Sequence, residues 1–154
     1  MPGLYWDTSA FVKHYHPELG TAKVDQLLQE PDTQHVISRL GITETFSAFA
    51  SKVRTGLITL VEFEQLSRRF LADTRRKFFS VARLLVAHYR DAERLLRKYG
   101  PKPGQGIRTL DCLHLAVAID LRNKRAIDAV VSADARLLAA SQAEGLTVIN
   151  PEQP

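Results

Sequence analysis

The chain has 154 residues, 45% of them hydrophobic, with a net charge of +4 and a pI near 9.4. That length and composition supply one buried core and predict a single domain over residues 1–154, which excludes a largely disordered chain. Cys112 is the only cysteine, which excludes an internal disulfide and disfavours a thiolate zinc site; with no signal-peptide pattern and no apolar run near the roughly 18 residues of a membrane helix, a soluble cytoplasmic protein is expected.

Leu4, Tyr5 and Trp6 favour a strand, and Ala10, Phe11, Val12 and Tyr15 predict a helix that Thr8 or Ser9 can cap. Asp7 stands between them, at the carboxyl end of the strand, where open α/β sheets place their ligands. Helix capping and ligand binding are both open to it at this point. Ala22, Val24, Leu27 and Leu28 predict a second short helix closed before Pro31, and residues 35–38 a buried strand. Ile42, Phe46, Phe49, Ala50 and Val53 then recur at helical spacing up to Gly56. Glu44 falls nearly opposite that stripe, among Leu40, Ser47, Ala48 and Ser51, whose mostly small side chains leave room for something to approach.

Residues 59–72 read as a helix, 78–82 as a strand, and the stripe Leu85, Tyr89, Ala92, Leu96 and Tyr99 as the apolar face of a further helix. Three glycines and two prolines make residues 100–106 a loop. The helix predicted over 109–122 is apolar almost all round and belongs inside the protein. Asp111, in its first turn, is then a carboxylate in need of a partner: a charge, a metal or the helix N-terminus. Residues 129–134 repeat the opening pattern of apolar strand, acid and helix, with Asp134 as the acid, and residues 147–149 form the last strand. Strands alternating with helices predict an α/β fold with a mostly parallel central sheet and helices on both faces.

In such a fold the strand C-termini and helix N-termini share one edge, so Asp7, Glu44, Asp111 and Asp134 can meet there. Clustered carboxylates repel one another unless a cation neutralises them or some take up protons. Oxygen-only donors favour Mg²⁺ or Mn²⁺ over zinc, and such an ion can activate water against a phosphodiester. Motifs for other chemistries are missing: there is no G-x-x-x-x-G-K-[ST], G-x-G-x-x-G, H-E-x-x-H or G-x-S-x-G. The five histidines show no metal-binding pair; His14 and His16 read as surface residues, His114 as a core or rim residue, and Cys112 as a small buried one. Residues 68–108 hold twelve Lys/Arg against three acids, a balance of +9 that leaves −5 for the rest. Charge of that kind is either a polyanion-binding face or an ordinary solvated one.

Taken together, residues 4–13 (Leu-Tyr-Trp-Asp-Thr-Ser-Ala-Phe-Val-Lys), Glu44, residues 109–116 (Thr-Leu-Asp-Cys-Leu-His-Leu-Ala) and residues 131–134 (Val-Ser-Ala-Asp) resemble the PIN-domain ribonucleases, specifically the VapC-type toxins of toxin–antitoxin pairs. The resemblance implies a PIN-like three-layer sandwich with Asp7, Glu44 and Asp111 as central acids, Asp134 as the fourth, and Ser132 with Thr8 or Ser9 as polar supports. It further implies Mg²⁺- or Mn²⁺-dependent cleavage of RNA, a homodimer, and inhibition by a cognate antitoxin. Ser132 stands where the family more often has threonine, which keeps a hydroxyl. Basic residues of the 68–108 segment, Arg75, Arg76, Lys77 and Arg108 among them, are the candidates to hold the RNA backbone.

The leading expectation is a metal-dependent endoribonuclease toxin. A non-catalytic RNA-binding or regulatory module of the same fold, and a housekeeping nuclease without an antitoxin, are the alternatives. A phosphotransfer enzyme with Asp7 as nucleophile is disfavoured, because Ser9 stands where a D-x-D motif has its second acid.

Overall fold

The computed structural model describes residues 2–154 and shows a five-stranded sheet between two layers of helices. In chain order the elements are β1 (Gly3–Trp6), α1 (Thr8–Phe11) continued by a 3-10 turn at Val12–His14, α2 (Thr21–Leu28), β2 (Gln34–Ser38), α3 (Arg39–Arg54), α4 (Leu60–Arg75), β3 (Ser80–Ala82), α5 (Val86–Tyr99), α6 (Thr109–Asn123), β4 (Ala129–Val131), α7 (Ala135–Ala143) and β5 (Thr147–Ile149). Every strand pairing is parallel, in the order β3-β2-β1-β4-β5.

Strand side chains alternate between the two faces of a sheet, and here both faces are covered. Tyr5, Val36 and Val130 enter the core beneath α5, α6 and α7, where they join Leu95, Leu115 and Leu137. Leu4, Trp6, Ile37 and Val131 enter the opposite core, with Phe11, Val24, Phe49 and Phe70. A central strand buried on both sides needs apolar residues at consecutive positions, which is why β1 is uniformly buried.

Two expectations are corrected. The strand predicted over 78–82 shrinks to Ser80–Ala82, because Phe78 and Phe79 lie in a bend with their ring centroids 4.9 Å apart and Phe79 buried. On α5 the buried stripe is His88, Ala92, Leu95 and Tyr99, whereas Leu85 and Tyr89 are about half exposed. His88 is drawn inward by polar partners: its Nε2 lies 2.9 Å from Asp120 on α6, and its Nδ1 accepts from the Leu85 N–H.

The topology decides where a ligand can sit. From β1 the chain builds β2 and β3 to one side and β4 and β5 to the other, so β1 and β4 flank the point where strand order reverses. Connections diverge there and leave a crevice outside the strands' carboxyl ends.

Candidate active site

Asp7 is carried to the rim by the sheet itself, since its N–H donates to the Val131 carbonyl at 3.0 Å. It occupies the N-cap position of α1 with extended backbone, yet its carboxylate makes no capping bond, and Thr8 and Ser9 lie inside the helix instead of capping it. The hydroxyls of Ser9 and Ser132 both donate to Asp7 Oδ2, at 2.5 and 3.0 Å. Their oxygens accept in turn from the N–H groups of Ala133 and Asp134, each at 3.0 Å. Two strand–helix junctions, far apart in sequence, are thereby tied together around one carboxylate.

Glu44, in the second turn of α3, accepts a 3.0 Å hydrogen bond from the Thr8 hydroxyl on Oε1. The same oxygen meets Nε2 of His114, and that nitrogen also lies 3.5 Å from Asp7 Oδ1. His114 is 1% exposed, with Nδ1 2.6 Å from the Tyr5 hydroxyl. Burial pulls the imidazole pKa down, but the hydrogen bond to Glu44 and the charges of Asp7, Glu44 and Asp111 outweigh it, so the net shift is upward. Burial also raises the Tyr5 hydroxyl above its usual range and keeps it protonated.

Asp111 is 7% exposed in the first turn of α6. Burial first, then the charges of Asp134 and Asp7, push its pKa up, and Arg108 offsets this only in part. Arg108 reaches over the cleft mouth, with Nε 3.3 Å from Asp111 Oδ2 and Nη2 3.6 Å from Asp134 Oδ2. Asp134 is a helix cap in the full sense, its Oδ1 accepting from the N–H groups of Arg136 and Leu137 at 2.8 and 3.1 Å.

All four acids line one cleft of about 560 Å³, whose far wall is the small-residue face of α3 (Ser47, Ala48 and Ser51), ending at Arg54. Arg75, Arg76 and Lys77 do not line it. They precede β3 and so lie toward the opposite edge of a parallel sheet. Part of the +9 segment is also neutralised within the fold, because Arg94 and Lys98 both pair with Glu144, at 2.9 and 3.1 Å.

Asp7, Glu44, Asp111 and Asp134 present only oxygen donors, and Asp111 shows that the negative charge is incompletely compensated; this chemistry fits a hard divalent cation. The side-chain positions are less accommodating: among the described residues no group of three His, Cys, Asp or Glu is arranged to hold a metal ion. Glu44 is tied to His114 and Thr8, and Arg108 stands between Asp111 and Asp134. A cation would require Arg108, whose side chain is 71% exposed, to swing away.

The arrangement contains two residues to which sequence reasoning assigned no role in the site: His114, read as a core or rim residue and found buried, and Tyr5, read as a strand former. His114 follows Asp111 by three positions and therefore shares its helix face, a spacing that could have singled it out. The thiol of Cys112, pushed up to about 11 by burial, is unsuited to nucleophilic work at neutral pH.

A parallel sheet with a carboxylate-lined cleft at its switch point defines the class. The sequence matches the PIN domain over residues 4–143, and the chain belongs to that family. No curated protein matches the sequence significantly. Among solved structures the fold is similar to VapC20 of Mycobacterium tuberculosis, a sarcin–ricin-loop-cleaving toxin, with a TM-score of 0.65 at 16% identity over 94% of this chain and 96% of that one. FitAcB of Neisseria gonorrhoeae gives 0.64 at 17% identity over 98% and 99%. VapBC2 of Rickettsia felis, bound to a promoter DNA fragment, gives 0.62 at 14% identity over 96% and 98%.

Proposed function

We propose that this protein is a Mg²⁺- or Mn²⁺-dependent endoribonuclease and the toxin of a toxin–antitoxin pair. The observation that carries the reading is the convergence of Asp7, Glu44, Asp111 and Asp134 on one cleft of a PIN domain. Asp7, Glu44 and Asp111 are the residues that would hold the ion, with Asp134 completing the acidic rim. Bound there, a divalent cation supplies activation of water and charge neutralisation at the phosphodiester. Ser9 and Ser132 fix the Asp7 carboxylate, and Thr8 fixes Glu44. Arg108, in contact with Asp111 and Asp134, would exchange them for a substrate phosphate, which a guanidinium grips in bidentate fashion.

A cognate antitoxin as partner is supported by the toxin–antitoxin complex among the structural neighbours and RNA as substrate by the sarcin–ricin-loop-cleaving toxin, and a homodimeric assembly is proposed with them. Cytoplasmic action accords with it, and no helix among the described residues is long and apolar enough to cross a membrane. The test is cleavage of RNA by purified protein with Mn²⁺, together with growth arrest on expression, each compared with Asp7→Asn. Equal behaviour of the two proteins would remove the reading.

One observation favours a second reading, a non-catalytic RNA-binding module: Arg108 stands between two of the acids. Calorimetry separates the two, since a module of that kind takes up no Mn²⁺ and an intact site gains thermal stability with it.

A further inference from the structure

We propose that His114, held by Tyr5, is a positioning residue that sets the Glu44 and Asp7 carboxylates for the divalent cation. The proposal rests on the nuclease reading given above. Three observations carry it. His114 is buried at the centre of α6, and a buried imidazole must satisfy both ring nitrogens. Its Nε2 faces two carboxylates from different elements, Glu44 of α3 and Asp7 at the end of β1. Its Nδ1 faces the hydroxyl of Tyr5, a β1 residue whose side chain points to the α6 side of the sheet.

The direction of these bonds follows from donor chemistry. Ionised Asp7 and Glu44 are acceptor-only, so Nε2 carries the hydrogen. With that hydrogen on Nε2 of a neutral ring, Nδ1 is bare and accepts from the Tyr5 hydroxyl. If the ring is charged, Nδ1 donates to the same oxygen and Nε2 still donates to Glu44, with Asp7 Oδ1 3.5 Å away. In both states one N–H is held on Glu44 with the Asp7 carboxylate beside it, so the device works by geometry and does not depend on a proton being gained or lost. It holds Glu44 through Oε1 and leaves Oε2 free, the arrangement that outer hydrogen bonds give to ligating carboxylates.

Thr8 reinforces the same choice, because its hydroxyl also donates to Oε1. Two donors on one oxygen select the carboxylate orientation that turns the other oxygen away. The Tyr5–His114–Glu44 chain therefore runs from β1 through α6 to α3, and fixes across the domain what no single element can fix alone.

The experiment measures Mn²⁺ affinity by calorimetry for wild type, Asp7→Asn, His114→Leu, His114→Gln and Tyr5→Phe, with thermal midpoints of the metal-free proteins alongside. His114→Leu removes the donor at similar volume and is expected to weaken Mn²⁺ binding roughly 10- to 100-fold, the usual effect of losing such an outer contact. His114→Gln restores an N–H near the Nε2 position and recovers most of the affinity. Tyr5→Phe falls between the two, and its small change keeps the test alive if His114→Leu fails to fold. The RNA-cleavage defect of His114→Leu is recovered at saturating Mn²⁺. Unchanged Mn²⁺ affinity in folded His114→Leu or Tyr5→Phe, or equal loss in the Leu and Gln variants, overturns the proposal while leaving the nuclease reading in place. A wild type that binds Mn²⁺ no better than Asp7→Asn overturns both.

Discussion

Asp7 and Asp134 occupy the same local pattern, an apolar strand ending at an acid that begins a helix, yet the fold uses them differently. Asp134 spends Oδ1 on the first N–H groups of α7 and turns only Oδ2 toward Arg108. Asp7 makes no capping bond and gives Oδ2 to two serine hydroxyls, one local and one from the far end of the chain. The difference lies in the neighbours. Ser9, the second residue of the four-residue α1, donates to the Asp7 carboxylate, whereas the contacts of the Asp134 carboxylate are the first N–H groups of α7 and Arg108. A strand–acid–helix junction thus permits either a cap or a ligand, and the hydroxyls around it decide.

Several substitutions sharpen that contrast. The largest effect is expected from Asp7→Asn, which keeps the shape but removes the charge: RNA cleavage should fall by more than ~100-fold, beyond what loss of a merely orienting group produces, with a thermal midpoint close to wild type. Asp134→Ala should act on stability instead, costing roughly 1 kcal/mol as a lost N-cap, which corresponds to about 2–4 °C in a domain of this size. Asp134→Asn retains the cap, so its midpoint should recover. Should Asp7→Ala and Asp134→Ala lose stability equally, with cleavage intact in both, the contrast would collapse.

Asp111 gives a smaller effect with a definite sign. Its pKa in the folded protein is raised above the unfolded value, so the fold favours the protonated form; the stability from this group is full below the unfolded pKa of about 3.9 and is lost as pH rises through the folded one. Asp111→Asn should therefore stabilise the metal-free protein at neutral pH and flatten its stability profile above pH 4. Thermal midpoints in EDTA across that range check it, and a lower midpoint for Asp111→Asn at neutral pH would refute it. Smallest of all, joint replacement of Arg75, Arg76 and Lys77 by alanine should shift stability by no more than about 0.5 kcal/mol, as for other exposed positions. It should reduce RNA cleavage less than Arg108→Ala alone, because Arg108 lines the cleft and these three residues do not.

Much of this was legible before any coordinates. The alternation of strands and helices predicts the parallel sandwich, and the burial of α6 marks Asp111 as a carboxylate in need of a partner, a need that Arg108 meets only in part against the repulsion of Asp134 and Asp7. These features were readable because they are carried by periodicity: a strand repeats every two residues and a helix every 3.6, and an acid breaks the pattern visibly. The short reach of β3 and the inward turn of His88 were not readable, since one depends on how Phe78 and Phe79 pack and the other on Asp120, 32 positions away.

The amino-acid sequence by itself thus determined the layer order, the sheet edge to which the acids belong and the oxygen-only character of the site. Tertiary structure alone decided which acid caps and which is held for other use, that Arg108 covers the cleft while Arg75, Arg76 and Lys77 do not line it, and that His114 bonds Glu44 beside Asp7. The physical reason is range. Propensity and amphipathic spacing act over a few residues, whereas the hydrogen bonds that orient Asp7 and Glu44 reach across separations of 125 and 70 positions and exist only once β1, α3, α6 and β4 have packed together.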